Sequence, residues 1–144
     1  MSDMLIYYTH QSPISDPKEL GHLFDAIPDD IPTIARTVQG LITHYMADTF
    51  IYDYQYPKER MSEIDTRYVH SMLEQLIKMD DRLLAEARAF DNRLIGCCRD
   101  YATLFTSILR HKGIPCRVRY GFAKYFEANF YVDHVIAEYW NGQH

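Results

Sequence analysis

The chain has 144 residues, a net charge of −5, 47% hydrophobic residues and 24% charged residues. This length allows one domain with its own core, and a negative charge without a run of Lys and Arg excludes a surface built for nucleic acid or anionic membranes. No apolar run approaches the roughly 20 residues of a membrane span, and no signal peptide is recognisable. Three cysteines do not form a disulfide framework. We therefore expect one cytoplasmic domain over residues 1–144 with free thiols.

The first part of the chain is predicted to be mostly helical. Residues 4–9 favour an extended segment, and Pro17 opens a short helix that reaches Phe24. Asp29-Asp30 cap a longer helix with Pro32 in its first turn, where a missing N–H costs little. Apolar residues recur along this helix at helical spacing and predict one buried stripe: Ile34, Val38, Leu41, Ile42, Tyr45 and Met46.

Three further helical segments are predicted before the strands at the end of the sequence. The first begins near Ser62, with Asp65 in a capping-box arrangement, and has an apolar stripe over 69–77. Residues 82–90 favour a short helix or a helical turn. Gly96 then breaks the chain, and a helix begins at or just after Cys98 and ends at Gly113, the residue type expected after a helix end.

The last thirty residues predict strands. Residues 116–122 alternate as a strand does, residues 130–140 form a second strand, and Asn141-Gly142 is a strong two-residue hairpin signal. Helices first and strands last indicate an α+β fold, with a helical half over about 1–95 packed on a small antiparallel sheet within 96–144.

Cys98 is the candidate nucleophile of this sequence. A thiol attacks as its thiolate, and a helix amino terminus together with an imidazolium favours that form. The unpaired N–H groups of the first helical turn also offer part of an oxyanion hole. The alternative is that Cys98 is a small buried apolar residue. Of the other thiols, Cys97 points about 100° away from Cys98 and is expected in the core, as is Cys116.

His134, on the second strand, is the candidate general base. Asp133 faces the opposite side of this strand, and Glu138 lies about 13 Å along it, so neither can hold the imidazole. If Asn141-Gly142 is a two-residue turn, the residue facing His134 on the following strand is at position 149, beyond the sequence. An Asp or Asn there would complete a Cys-His-Asp/Asn arrangement. The remaining histidines are expected at the surface or core boundary: His10, His22, His44, His70 and His111.

Four motifs in order carry a family resemblance: GCCRDYA at 96–102, LRHKGIPCR at 109–117, GF at 121–122 and HVIAEYW at 134–140. They resemble the transglutaminase-like superfamily, which has a G-x-C-x-D helix start, an L-R-x-x-G-I-P-A-R link and an H-x-W or similar strand. The likeness covers roughly the last 50 residues, and the first 90 are more weakly similar to the helical lead-in of bacterial members. It implies a papain-like α+β fold, with Cys98 as nucleophile, His134 as base and no cofactor or metal.

The sequence departs from the family pattern at three points. Cys116 replaces the usual Ala, a tolerable exchange of small residues. The strand that carries the family's Asp is absent, which implies a truncated domain. Trp140, the only tryptophan, follows His134, so no upstream Trp is available as an oxyanion donor of the animal transglutaminase kind. Asn92 or a Tyr from the helical half are the open candidates for that role.

The resemblance implies acyl transfer or hydrolysis at a peptide or protein amide, and we favour hydrolysis. The alternative is a catalytically silent domain that binds a partner or a second copy through the exposed strand edge after Trp140. A zinc site is disfavoured because adjacent cysteines do not have the usual ligand spacing; its ligands would be Cys97, Cys98, Cys116 and His134. Arg117 and Arg119 are expected on a solvated strand face.

Overall fold

The structure is a computed structural model that describes residues 2–143. Its helices are α1 (Asp3–Tyr7), α2 (Ile31–Leu41), α3 (Ala47–Tyr52), α4 (Val69–Met79) and α5 (Cys98–His111). Its strands are β1 (Ile42–His44), β2 (Leu94–Gly96), β3 (Cys116–Ala123) and β4 (Val132–Tyr139). Three 3₁₀ helices lie between them, over Lys18–Phe24, Lys58–Asp65 and Phe90–Asn92. The expected α+β architecture is confirmed.

The amino-terminal segment is helical, so the predicted extended conformation at 4–9 is wrong. Asp3 lies in the first turn of α1, where its charge complements the helix dipole. At the other end, the Thr9 hydroxyl donates to the Ile6 carbonyl oxygen at 2.7 Å. Local hydrogen bonds therefore satisfy backbone groups of this segment, and its backbone bond to a strand is that of the Tyr8 carbonyl oxygen, which accepts from the Cys116 N–H of β3 at 3.1 Å.

Helix α2 begins as predicted and ends earlier than its apolar stripe suggested. The Asp30 side chain accepts a hydrogen bond from the Thr33 N–H at 2.9 Å, which satisfies one of the free donors of the first turn. The helix stops at Leu41, and Ile42 opens β1 with extended dihedral angles. The stripe predicted from the sequence therefore spans two elements, because Ile42 is fully buried in a strand.

Helix α4 begins seven residues after the predicted start at Ser62. The segment from Lys58 to Asp65 is a 3₁₀ helix, and the chain re-enters the core only at Val69. There the Val69 N–H donates to the Ile14 carbonyl oxygen at 2.9 Å. Residues 82–90 form no α-helix, but the Glu86 N–H bonds the Leu83 carbonyl oxygen in a single turn.

Two small sheets flank α5, of which only one was predicted. Strands β3 and β4 pair antiparallel, with Cys116 opposite Tyr139 and Ala123 opposite Val132. Strands β1 and β2 pair in parallel, from Ile42 opposite Leu94 to His44 opposite Gly96. Helix α5 contacts both sheets and α2, and its buried Leu104, Ile108 and Leu109 belong to the main apolar core. No helix within residues 2–143 has the length and apolarity needed to cross a bilayer.

Candidate active site

Cys98 is the first residue of α5. Its backbone N–H lies in the first turn, where no intrahelical acceptor exists. Cys97 occupies the N-cap with an extended backbone, and its N–H donates to a carboxylate oxygen of Asp100 at 2.8 Å. The two adjacent thiols therefore differ in role, since Cys97 caps the helix that begins at Cys98.

Asp100 and Gly96 shape the turn before the thiol. The Asp100 side chain is 1% exposed and accepts from the Arg99 guanidinium at 2.8 Å as well as from Cys97. A Cβ on Gly96 would lie 2.9 Å from an Asp100 carboxylate oxygen and 3.1 Å from Ile42 Cγ2. Only a glycine allows this close approach of β2 to the helix start.

Side chains of the 3₁₀ segment at 58–65 hydrogen-bond the backbone of β2 and of the residues before it. The Arg60 guanidinium pairs with Glu63 at 2.6 Å and donates to the carbonyl oxygens of Asp91 and Arg93. Glu63 in turn accepts from the Ile95 N–H at 3.0 Å. These bonds fix the strand that leads into Cys98.

His134 lies on β4, opposite Gly121 of β3. Its ring meets the Phe126 ring edge-on at 4.9 Å between centroids, and Tyr125 lies 6.1 Å away. Glu138 pairs with Arg117 at 2.8 Å and Arg119 at 2.5 Å. Within residues 2–143 no side chain hydrogen-bonds the His134 ring, and the orienting residue expected at position 149 lies outside the described residues.

Cys98 and His134 line the same cavity, a cleft of about 400 Å³ between α2, α5 and β4 that we call the Cys98 groove. Most of its other walls are apolar and are formed by Val38, Phe105, Val135 and Ile136, among others. The structure therefore brings together the two residues that the sequence singled out.

His44 also lines the Cys98 groove, although the sequence analysis assigned it to the surface or core boundary. It ends β1 opposite Gly96, and the carboxyl ends of parallel strands meet at one edge of a sheet. Its ring stacks on Tyr101, with centroids 6.4 Å apart. No local sequence signal identifies it, because its position follows from the pairing of β1 with β2.

The other two cysteines are in environments that oppose ionisation. Burial, and then the nearby Asp100 charge, raise the pKa of the Cys97 thiol. Burial also raises the pKa of Cys116, which is 1% exposed and lies 3.4 Å from the Thr106 hydroxyl. Cys116 packs in the core as expected, whereas Cys97 is only partly buried at the N-cap, so its expected place in the core is wrong. Within the described part of the chain, no three His, Cys, Asp or Glu side chains are grouped as metal ligands.

The comparison with family models agrees with these features. The model of the transglutaminase-like superfamily matches residues 41–144, a segment that begins at the end of α2 and contains His44, Cys98 and His134. No curated protein and no solved structure matches the chain significantly. The match covers more than half of the sequence, and the chain therefore belongs to the transglutaminase-like superfamily.

Proposed function

We propose that this domain hydrolyses an amide bond of a peptide or protein, with Cys98 as nucleophile and His134 as general base. The observation that carries the proposal is the Cys98 groove, where a thiol at a helix amino terminus and an imidazole face one cavity. Transglutaminase-like domains usually carry cysteine-based chemistry. The helix amino terminus favours the thiolate and leaves the Cys98 N–H available to an oxyanion.

The reaction proceeds in two steps. The Cys98 thiol proton moves to His134, and the sulfur forms a bond to the carbonyl carbon while the carbonyl π electrons move to oxygen. When the oxyanion collapses, the C–N bond breaks and the amine leaves with the proton from His134. Water then attacks the thioester, His134 takes its proton, and the thiol is regenerated with release of the carboxylic acid.

The walls of the groove favour an acyl group with an apolar side chain. Val38, Phe105 and Ile136 line the cavity beside the thiol. Aromatic side chains also lie exposed on the turn between β3 and β4, among them Tyr125 and Phe126, which flank His134. Apolar contacts of this kind favour binding of an acyl chain and exclude water from its carbonyl.

The first test is alkylation of the native chain with iodoacetamide between pH 5 and 9, with each modified cysteine located by peptide mass spectrometry. We expect labelling of Cys98 at a lower pH than Cys97 or Cys116, whose burial opposes ionisation. His134→Asn should move Cys98 labelling to higher pH, because the imidazolium that stabilises the thiolate is lost. Cys97→Ser is the matched control and should leave the labelling of Cys98 unchanged.

The opposite outcome would favour a silent binding domain. If Cys98 reacts no faster than the other two thiols, or if His134→Asn has no effect on it, the groove holds no activated nucleophile. The proposed hydrolysis would then be wrong for this chain.

A further inference from the structure

The two ring nitrogens of His44 have different surroundings. Its Nδ1 accepts hydrogen bonds from the backbone N–H groups of Met46 and Ala47, both at 3.2 Å. A nitrogen that accepts carries no proton, so the neutral ring carries its proton on Nε2. No group within residues 2–143 accepts a hydrogen bond from this Nε2–H. The ring therefore offers one unused donor.

The ring is held rigidly at the groove. Asp48 accepts from the His44 N–H at 2.7 Å and from the Thr43 hydroxyl at 2.7 Å, which fixes the turn after β1. Tyr45 stacks on the imidazole with ring planes 9° apart. A donor fixed in this way needs no reorganisation when a negative charge develops near it.

Three other side chains that could supply a donor are already engaged. The Asn92 amide donates to Asp80 at 3.2 Å and lies away from the groove. The Tyr101 hydroxyl, whose ring lines the groove, donates to the Ile42 carbonyl oxygen at 2.8 Å. The Tyr56 hydroxyl lies 2.5 Å from that of Thr43 and donates to the His44 carbonyl oxygen. Of Asn92, Tyr101, Tyr56 and His44, only His44 has a free donor in the groove. The Gln39 amide also lines the groove, but it is exposed on α2 and no side-chain hydrogen bond within residues 2–143 fixes it in place.

We propose that His44 is a catalytic residue whose Nε2–H, together with the backbone N–H of Cys98, binds the oxyanion formed when Cys98 attacks a carbonyl. This inference rests on the proposed function and goes beyond the Cys98 and His134 pair. The ring stays neutral throughout. Its Nε2–H donates a hydrogen bond to the oxyanion for as long as the tetrahedral adduct exists. This hydrogen bond weakens when the carbonyl re-forms and the leaving group departs, and the proton stays on Nε2.

Two substitutions separate this role from the capping of the turn by Nδ1. In His44→Asn, the side-chain oxygen can still accept from Met46 and Ala47, but the Nε2–H is lost. In His44→Gln, the longer amide places an N–H close to the former Nε2, and the Nδ1 acceptor is lost. The probes are p-nitrophenyl acetate, which acylates through an oxyanion, and iodoacetamide, which alkylates without one.

In the full chain, p-nitrophenyl acetate transfers its acetyl group to the Cys98 sulfur and releases p-nitrophenolate, and the thiol proton goes to His134. We expect His44→Asn to slow this acylation, located at Cys98 by mass spectrometry, by about 10²–10³-fold. In the same variant, the rate at which iodoacetamide alkylates Cys98 should stay within about threefold of the parent rate. His44→Gln should acylate within about tenfold of the parent even though its thermal stability is lower.

Three results would overturn the inference. Acylation of His44→Asn at the parental rate would show that Nε2 does not act. An equal loss of alkylation and acylation would show that His44 acts on the thiolate. If His44→Gln is acylated as slowly as His44→Asn, the Nε2–H has no role in binding the oxyanion, and His44 only caps the turn. If the parent Cys98 reacts with neither reagent, the proposed function itself fails, which is a different result.

Discussion

At the scale of single residues, the surroundings of His44 favour the neutral form of its imidazole. Burial lowers the pKa of its imidazole, the Asp48 carboxylate partly opposes this shift, and a charge on His134 adds to the lowering. The charge of the Asp100 carboxylate also raises this pKa, in the same direction as Asp48. In the proposed mechanism, this lowered pKa favours a neutral His44 while His134 carries the proton taken from Cys98, as an oxyanion donor requires.

The lowered pKa of His44 predicts a dependence of stability on pH. Below the ordinary histidine pKa of about 6.5 the unfolded chain binds a proton that the folded chain refuses. Stability therefore rises with pH through this range and falls as the pH drops from 7 towards the folded-state pKa. Because His44→Asn lacks the titrating group, the stability of the parent relative to this variant should decrease between pH 8 and pH 5 in thermal unfolding. A constant difference would contradict the burial of the imidazole.

At the scale of the element, the start of α5 depends on one buried carboxylate. Asp100 joins the N-cap residue Cys97 to the helix, and it neutralises Arg99, whose guanidinium also donates to the Ile64 carbonyl oxygen at 2.8 Å. The Asp100 side chain also lies against Gly96, where a Cβ would have no room. The position of Cys98 is thus set by contacts on both sides of it.

We expect Asp100→Asn to destabilise the chain by about 1–3 kcal/mol, because an amide keeps one acceptor oxygen for the two partly buried donor groups of Cys97 and Arg99 and loses the charge. Urea unfolding measures the change. Amide exchange should become faster at Cys97, whose N–H bonds Asp100, and at Tyr101, whose N–H bonds the Cys97 carbonyl oxygen. Asp133→Asn is the matched control, since Asp133 is exposed on β4 and its side chain makes no hydrogen bond or ion pair within residues 2–143. Equal stabilities of the two variants would contradict the role of Asp100.

At the scale of the whole molecule, Arg60 connects segments that are distant in the sequence. Its guanidinium bonds Glu63, the carbonyl oxygens of Asp91 and Arg93, and the Met79 sulfur at 3.4 Å. The 3₁₀ segment, the end of α4 and the approach to β2 are thus held by one planar fork of donors. This connection keeps the strand before Cys98 in place.

Arg60→Lys should lower the free energy of unfolding by about 1–3 kcal/mol, because an ammonium group cannot reproduce the bonds of the guanidinium fork. The measurement is urea unfolding, combined with amide exchange at Ile95, whose N–H bonds Glu63. Arg67→Lys is the control, since the Arg67 side chain is 59% exposed and lies 3.8 Å from Asp65. A loss no larger than that of the control would show that the connection contributes little.

The sequence by itself determined the elements that carry local signals. Asp30 before Pro32 predicted the start of α2, and Gly113, which has a positive φ of 72°, marks the predicted end of α5. Alternation predicted β3 and β4, and the motifs around Cys98 and His134 identified the family that the match over 41–144 confirms. These features follow from capping, turn geometry and side-chain periodicity within a few residues.

Only the tertiary structure decided the neighbours of those elements. Strands β1 and β2 have three residues each, too few for a periodic pattern, and they lie some fifty positions apart in the sequence. Their parallel pairing places His44 beside Gly96 and so at the Cys98 groove. Such a pairing depends on the burial of residues such as Ile42 and Leu94 against α5 and on long-range loop closure. Local propensity describes neither the burial of these residues nor the closure of the loop between them. This is why sequence reasoning named Cys98 and His134 as candidates and did not place His44 beside them in the groove.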